Sequence, residues 1–176
     1  VFLDESGFSL TPTVKRTWAP QGHTPYLYHV FKHDKLSAIG ALTVSPRQQH
    51  LGLYLQLAAN RAFTGLDVRV FLRTLLRHLR GAVVLLWDRG TIHTRREVTA
   101  YLAAHPRVSP YDFPPYAPEL NPAEHIWTQA DAALANGTPP HLVQLRRRLR
   151  RATRRLRSAQ PLLWACIKAS DLPWGR

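Results

Sequence analysis

Hydrophobic and polar positions along the chain alternate between two periods. Val1–Asp4 is a short apolar run ending in a carboxylate. Lys35–Val44 and His50–Ala58 are partly alternating apolar stretches separated by the turn chemistry of Ser45-Pro46, and all three predict strands. Phe63-Thr64-Gly65 breaks the pattern. Beyond it Val68, Phe71, Leu72, Leu75, Leu76 and Leu79 recur at helical spacing, which predicts an amphipathic helix stopped by Gly81. Ala82–Trp87 is continuously apolar, as a buried parallel strand is, and ends at Asp88. Thr94 and Glu97 have the spacing of a capping box for a second helix, which buries Val98, Tyr101 and Leu102 and ends at Pro106. Val108–Phe113 predicts another short strand, and Pro114, Pro115 and Pro118 stiffen the loop after it. Asn121, Pro122 and Glu124 then read as N-cap, first and third positions of a third helix. Ile126, Trp127, Ala130 and Leu134 continue it, and Asn136-Gly137 closes it. A fourth helix is expected from Thr138-Pro139, with Leu142, Leu145, Leu149 and Leu156 as its stripe. The tail Pro161–Arg176, with Trp164 and Trp174, is apolar enough to pack back. This order predicts an α/β layered sheet with mixed strand directions, without internal repeat or flexible linker.

Composition narrows the class. At 176 residues and 45% apolar content, the chain is expected to form one domain with a core that needs no staples. Its single cysteine, Cys166, excludes an internal disulfide framework and a Cys-based zinc cage. There is no 18-residue apolar run of the kind that spans a membrane. No charged segment leads into an apolar one at the start, so no secretory signal is expected. The chain has no Met and opens directly on a strand, so a segment upstream is expected. The net charge of +13 points to a polyanionic partner. The excess is mostly arginine, whose planar fork binds phosphate bidentately. Arginine preference also follows from a GC-rich coding sequence, so the net charge is the stronger observation. It does not separate a nuclease from a passive binder.

Three carboxylates stand at element boundaries. Asp4 closes the first apolar strand, Asp88 follows the buried strand, and Glu124 lies in the first turn of the third helix. Sites in open α/β sheets gather beyond the carboxyl ends of strands. Carboxylates brought together there repel by roughly 4 kcal/mol per close pair at an effective dielectric near 20. A hard divalent cation with oxygen ligands removes that cost, and two such ions about 3.5–4 Å apart serve in-line phosphoryl displacement. Each residue also has an ordinary role: Asp4 at a strand end, Asp88 in a turn with Arg89-Gly90, Glu124 in a helix cap. Spacing leaves both readings open.

Three segments, VFLDESGFSL, LLWDRGTIHTRR and DFPPYAPELNPAEHIW, resemble the catalytic domain of bacterial insertion-sequence transposases related to the mariner elements. That family belongs to the DDE superfamily and has an RNase H-like fold, a mixed β-sheet flanked by α-helices. The resemblance runs from Val1 to about Trp174, includes RTWAPQGHTP, and is most specific in the proline-rich third segment. It implies that Asp4, Asp88 and Glu124 are catalytic and bind metal, Mg²⁺ with Mn²⁺ able to substitute. His93 matches a recurring family histidine five residues after the second aspartate; with Asn121 it is a candidate for supporting the ligands, and its ordinary role is a helix-entry hydrogen bond. The family often has Asn where this chain has Arg89, a cation that either grips a scissile phosphate or weakens metal binding. The implied reaction is hydrolysis of a phosphodiester at transposon ends, then attack of the freed 3′-hydroxyl on target DNA. Implied with it are double-stranded DNA as partner, a homodimer in a synaptic complex, TA target sites, cut-and-paste movement and a cytoplasmic, nucleoid-associated location. Residues 1–137 are expected to form the catalytic core and 138–176 an arginine-rich helix and tail on the same domain. The N-terminal helix-turn-helix segments of full-length relatives are expected to be missing from residues 1–176. Two rival readings are a decayed or domesticated fragment that binds DNA without cutting it, and another RNase H-like nuclease.

Lys15, Arg16, Arg89, Arg147, Arg151 and Arg154 are candidate phosphate contacts. The last three belong to eight arginines between positions 146 and 157, a run that serves equally as a solvated helix face. His29 and His33 have helical metal-ligand spacing in a strand-like context without a third ligand, which disfavours zinc. Trp18 is expected in the core, with base stacking as the alternative, and Cys166 is expected to be inert.

Overall fold

The computed structural model describes residues 1–29 and 32–173. Its five strands are β1 (Phe2–Ser9), β2 (Lys35–Val44), β3 (Leu51–Ala59), β4 (Val83–Trp87) and β5 (Val108–Asp112). They form one sheet in the order β3-β2-β1-β4-β5. β1, β2 and β3 pair antiparallel, whereas β4 pairs parallel with β1 and with β5. The helices are α1 (Gly65–Leu76), α2 (Arg96–Ala103), α3 (Pro122–Leu134), α4 (Leu142–Ser158) and α5 (Gln160–Ala169). This is the expected RNase H-like architecture, a mixed sheet flanked by helices.

Two cores fill the two faces. Phe2 and Phe8 of β1, with Leu36, Leu42 and Leu53, pack under Ile126, Trp127, Leu145, Leu149, Leu163 and Ile167 of α3, α4 and α5. Leu3 and Ile39, with Leu85 and Trp87, pack under Val68, Phe71, Leu72 and Val98 of α1 and α2. Successive side chains of a strand point to opposite faces. The central strand β1 therefore sends Asp4 toward α3, with Phe2, and Glu5 to the face of Leu3.

The elements depart from the sequence pattern in four places. β1 continues five residues beyond Asp4, because β2 pairs with it from Phe2 to Ser9 and carries the polar stretch Glu5–Gly7 along. Asp4 is thus inside the strand, not at its end. α1 ends at Leu76, well before Gly81, although Gly81 does hold φ +74° in the turn that follows. It is capped by Thr64 in a capping box with Asp67, whose carboxylate also takes Arg61. The Thr94/Glu97 box does not form: α2 starts one residue later, with Arg95 at the N-cap, and Thr94 donates to the carbonyl of Thr91 instead. α4 begins at Leu142 with His141 as N-cap, leaving Thr138-Pro139 in the connection. The tail packs back as expected, as the helix α5 with Leu163, Cys166 and Ile167 buried; Trp174 lies outside the described residues. Trp18 is fully exposed, on the long connection between β1 and β2, and not in the core.

Candidate active site

Asp4 is buried, 6% exposed, opposite Gly40 of β2. Its Oδ2 accepts the indole Nε1–H of Trp127 at 2.8 Å. A Cβ on Gly40 would stand 2.7 Å from the Trp127 ring, so the absent side chain is what lets the indole lie against β2 and reach the carboxylate. Burial pushes the Asp4 carboxyl up to about 8, the charges of Glu124, Glu5 and Asp88 push the same way, and the Trp127 hydrogen bond opposes them. In the metal-free chain this acid is therefore largely protonated at neutral pH.

Asp88 stands just beyond β4. Its Oδ1 accepts the backbone N–H of Gly90 at 2.9 Å and lies 3.0 Å from Nδ1 of His93. The same Nδ1 is 3.0 Å from the Asp88 carbonyl, while Nε2 is 3.2 Å from Oε1 of Glu5. His93 is 3% exposed and its ring stacks on Trp87, with centroids 4.4 Å apart and planes 4° apart. Burial disfavours the imidazolium, but the hydrogen bonds to Asp88 and Glu5 outweigh it and carry His93 up to about 10. In return the His93 hydrogen bond holds Asp88 below the usual carboxylate range. His93 thus does more than enter a helix: it ties the end of β4 to the middle of β1.

Glu124 lies in the first turn of α3, where Asn121 caps the helix by accepting the N–H of Ala123 at 3.1 Å. Asn121 is itself buried. Burial raises the Glu124 carboxyl above its ordinary value, and Asp88 adds to the rise. Glu124 and Trp127 are one turn apart on one helix face, so α3 brings a carboxylate and the Asp4 hydrogen-bond donor together.

Asp4, Asp88, Glu124 and Asn121 line one open cavity of roughly 370 Å³, with Arg89, Gly90 and the proline loop Pro114–Pro118. Arg89 keeps a long contact, 3.5 Å, to exposed Asp112. The chemistry of this donor set fits a hard divalent cation: three carboxylates from three elements, one of which burial makes costly to ionise without an opposite charge beside it. The tightest cluster of ligating atoms among the described residues is a different one: Glu5, Asp88 and His93, all within 4.8 Å of one another. The three cavity carboxylates stand farther apart, around an open space.

Lys15 and Arg16 do not line this cavity. Both are exposed on the β1–β2 connection, where the backbone N–H and C=O of Lys15 bond the side chain of Asn136. Arg147, Arg151 and Arg154 are exposed on α4. His29 and His33 lie on irregular backbone, so their spacing places them on no helix face. Cys166 is buried, and burial pushes its thiol up to about 11, as an inert cysteine requires. Sequence reasoning missed Glu5 and Trp127. Strand alternation after Asp4 and the Glu-x-x-Trp spacing of α3 were the available signals.

Comparison with known proteins places this geometry. Residues 1–146 match the model of the DDE superfamily endonuclease family. The fold resembles that of the Mos1 mariner transposase in its paired-end complex with Mn, at 17% identity, TM-score 0.62, covering 98% of this chain and 56% of that one. The Mos1 strand transfer complex gives 18% identity and TM-score 0.68 over 94% of this chain and 49% of that one. The isolated Mos1 catalytic domain gives 15% identity and TM-score 0.53 over 84% and 80%. The chain therefore spans about half the length of the Mos1 chains in the DNA complexes. No curated protein sequence matches it. With the family model covering most of its length, the chain belongs to the DDE superfamily of endonucleases.

Proposed function

We propose that this chain is the catalytic part of a transposase that cuts phosphodiester bonds at transposon ends and joins the freed 3′-hydroxyl to target DNA. The observation that carries the reading is the meeting of Asp4, Asp88 and Glu124 in one open cavity of a chain with net charge +13. These three residues would hold Mg²⁺ or Mn²⁺. When bound, such ions supply a Lewis acid for the scissile phosphate and a nucleophile at neutral pH. The Mos1 structures determined with Mn and with Mg support the choice of ion.

The chain's own residues prepare that site. Trp127 fixes the Asp4 carboxylate, which would have to give up its proton to hold a cation. His93 and Gly90 hold Oδ1 of Asp88, which fixes this carboxylate in the cavity wall. Asn121 fixes the start of α3 and with it Glu124. Arg89 borders the cavity, and its exposed contact with Asp112 is weak enough to yield to a phosphate. The Mos1 paired-end complexes support duplex DNA and a dimeric assembly as partners. A cytoplasmic, nucleoid-associated location follows from the same reading.

Nicking of supercoiled plasmid in Mg²⁺ or Mn²⁺ tests this function. We expect metal-dependent nicking by the wild type and at least a hundredfold less in Asp88→Ala. Equal cutting by both proteins would overturn the assignment. DNA binding without any cutting would leave a binding module in its place.

A further inference from the structure

We propose that the outer face of α4 is a binding ridge for the sugar-phosphate backbone of duplex DNA, separate from the catalytic cavity. The inference deepens the DNA-acting reading given above and rests on it. α4 buries Leu145, Leu149, Thr153 and Leu156, half-buries Leu142, Gln144, Arg146 and Ala152 beside them, and turns its opposite side outward. Its outward row runs through Arg147, Arg151 and Arg154, flanked by Arg150, Arg155 and Arg157, all exposed. The helix contains no acidic residue, and among the described residues none of these six guanidinium groups forms an ion pair. A helix face that is only solvated ordinarily mixes its charges or pairs them along the helix. Six like charges on one face repel, and an oppositely charged partner relieves that repulsion.

The placement of the helix is fixed at both ends. Arg146 donates to the carbonyl of Leu57 at 3.3 Å, and the Gln160 amide bonds both the N–H and the C=O of Leu51 at 2.8 Å. Arg146 lies in the second turn of α4 and Gln160 two residues past its last, Ser158, while their partners Leu57 and Leu51 follow in the reverse order, so α4 runs antiparallel along the edge strand β3. Arg147 to Arg157 then covers about 15 Å, the axial length of about four phosphates on one DNA strand. β3 lies three strands from β4, about 14 Å across the sheet from the strand that carries Asp88. The ridge therefore meets DNA away from the scissile bond. An acidic protein is a poorer occupant, because protein interfaces centre on apolar and aromatic groups and this face presents only Val143, at its N-terminal end.

The test is metal-free binding of a fluorescent duplex, read by anisotropy across salt concentration. Arg147→Gln/Arg151→Gln/Arg154→Gln should flatten the slope of log affinity against log salt by about 0.9 for each phosphate that is no longer neutralised, or about 2.7 for three. The triple Arg→Lys variant should keep the wild-type slope, as should Asp88→Ala, which alters the cavity and not the ridge. An unchanged slope in a folded Gln triple variant would overturn the ridge while leaving the catalytic reading in place. A flattened slope in the Lys variant would also overturn it, by tracing the effect to the helix and not to its charge.

Discussion

Asp4 occupies a position where a carboxylate is costly without a cation. It is buried, faces two other acids, and has one neutral hydrogen-bond donor. The sign of its effect on stability follows from linkage. Its folded-state pKa, about 8, lies above the unfolded value near 3.8, so between those pH values the native chain holds a proton the unfolded chain has released. Stability should thus fall as pH rises from about 4 to 8 in the metal-free protein. Thermal melts in EDTA across this range should show the fall, and Asp4→Asn should flatten it and melt higher than wild type near pH 8. An Asp4→Asn curve with the wild-type slope would contradict the burial argument. His93 acts in a neighbouring window: its folded value of about 10 lies above the ordinary 6.5, so the stability it contributes is complete below 6.5 and is lost as pH rises through 10. At this scale the three acids were legible from their positions in the sequence, but Glu5 and Trp127 were not. Their contacts, to His93 and Asp4, join residues 88 and 123 positions apart, and no local pattern records such partners.

At the scale of elements, α3 is the piece whose sequence and structure agree most closely. Asn121, Pro122 and Glu124 hold the cap, first and third positions that local chemistry assigns them. Asn121→Ala should therefore cost about 1 kcal/mol of stability and loosen the turn that carries Glu124. Chemical denaturation measures the first effect, and metal-dependent nicking measures the second as a weaker metal response at unchanged DNA affinity. Full stability in this variant would mean that the cap contributes nothing. The other helix starts were less legible. Thr94 and Glu97 have box spacing, yet Thr94 bonds within the preceding turn. The box that does form, Thr64 with Asp67, lies at the break in the apolar period. β1 outruns its apolar pattern because its polar half is held by pairing with β2, a tertiary effect outside any window of the strand itself.

Over the whole molecule, charge and chemistry are divided between places. Acids gather at the ends of β4 and α3 and within β1, while exposed arginines that form no ion pair among the described residues line α4 along the far edge. The sheet makes this division possible: its central strand presents Asp4 to the helical layer that carries Glu124 and Glu5 to the opposite face, and His93 joins Glu5 to Asp88. Fold class was legible because strand and helix periods alternate in chain order. The convergence of three acids was legible only through spacing and family resemblance, since repulsion alone would keep them apart. The central claim is that these acids form a divalent-cation site. Its most direct test is the melting temperature of the wild type and of Asp4→Asn, each titrated with Mn²⁺ into the millimolar range. A rise is expected for the wild type, larger at pH 8 than at pH 6 as the Asp4 proton becomes easier to displace, and no rise for Asp4→Asn. A wild-type protein indifferent to Mn²⁺, or an equal rise in both, would contradict it.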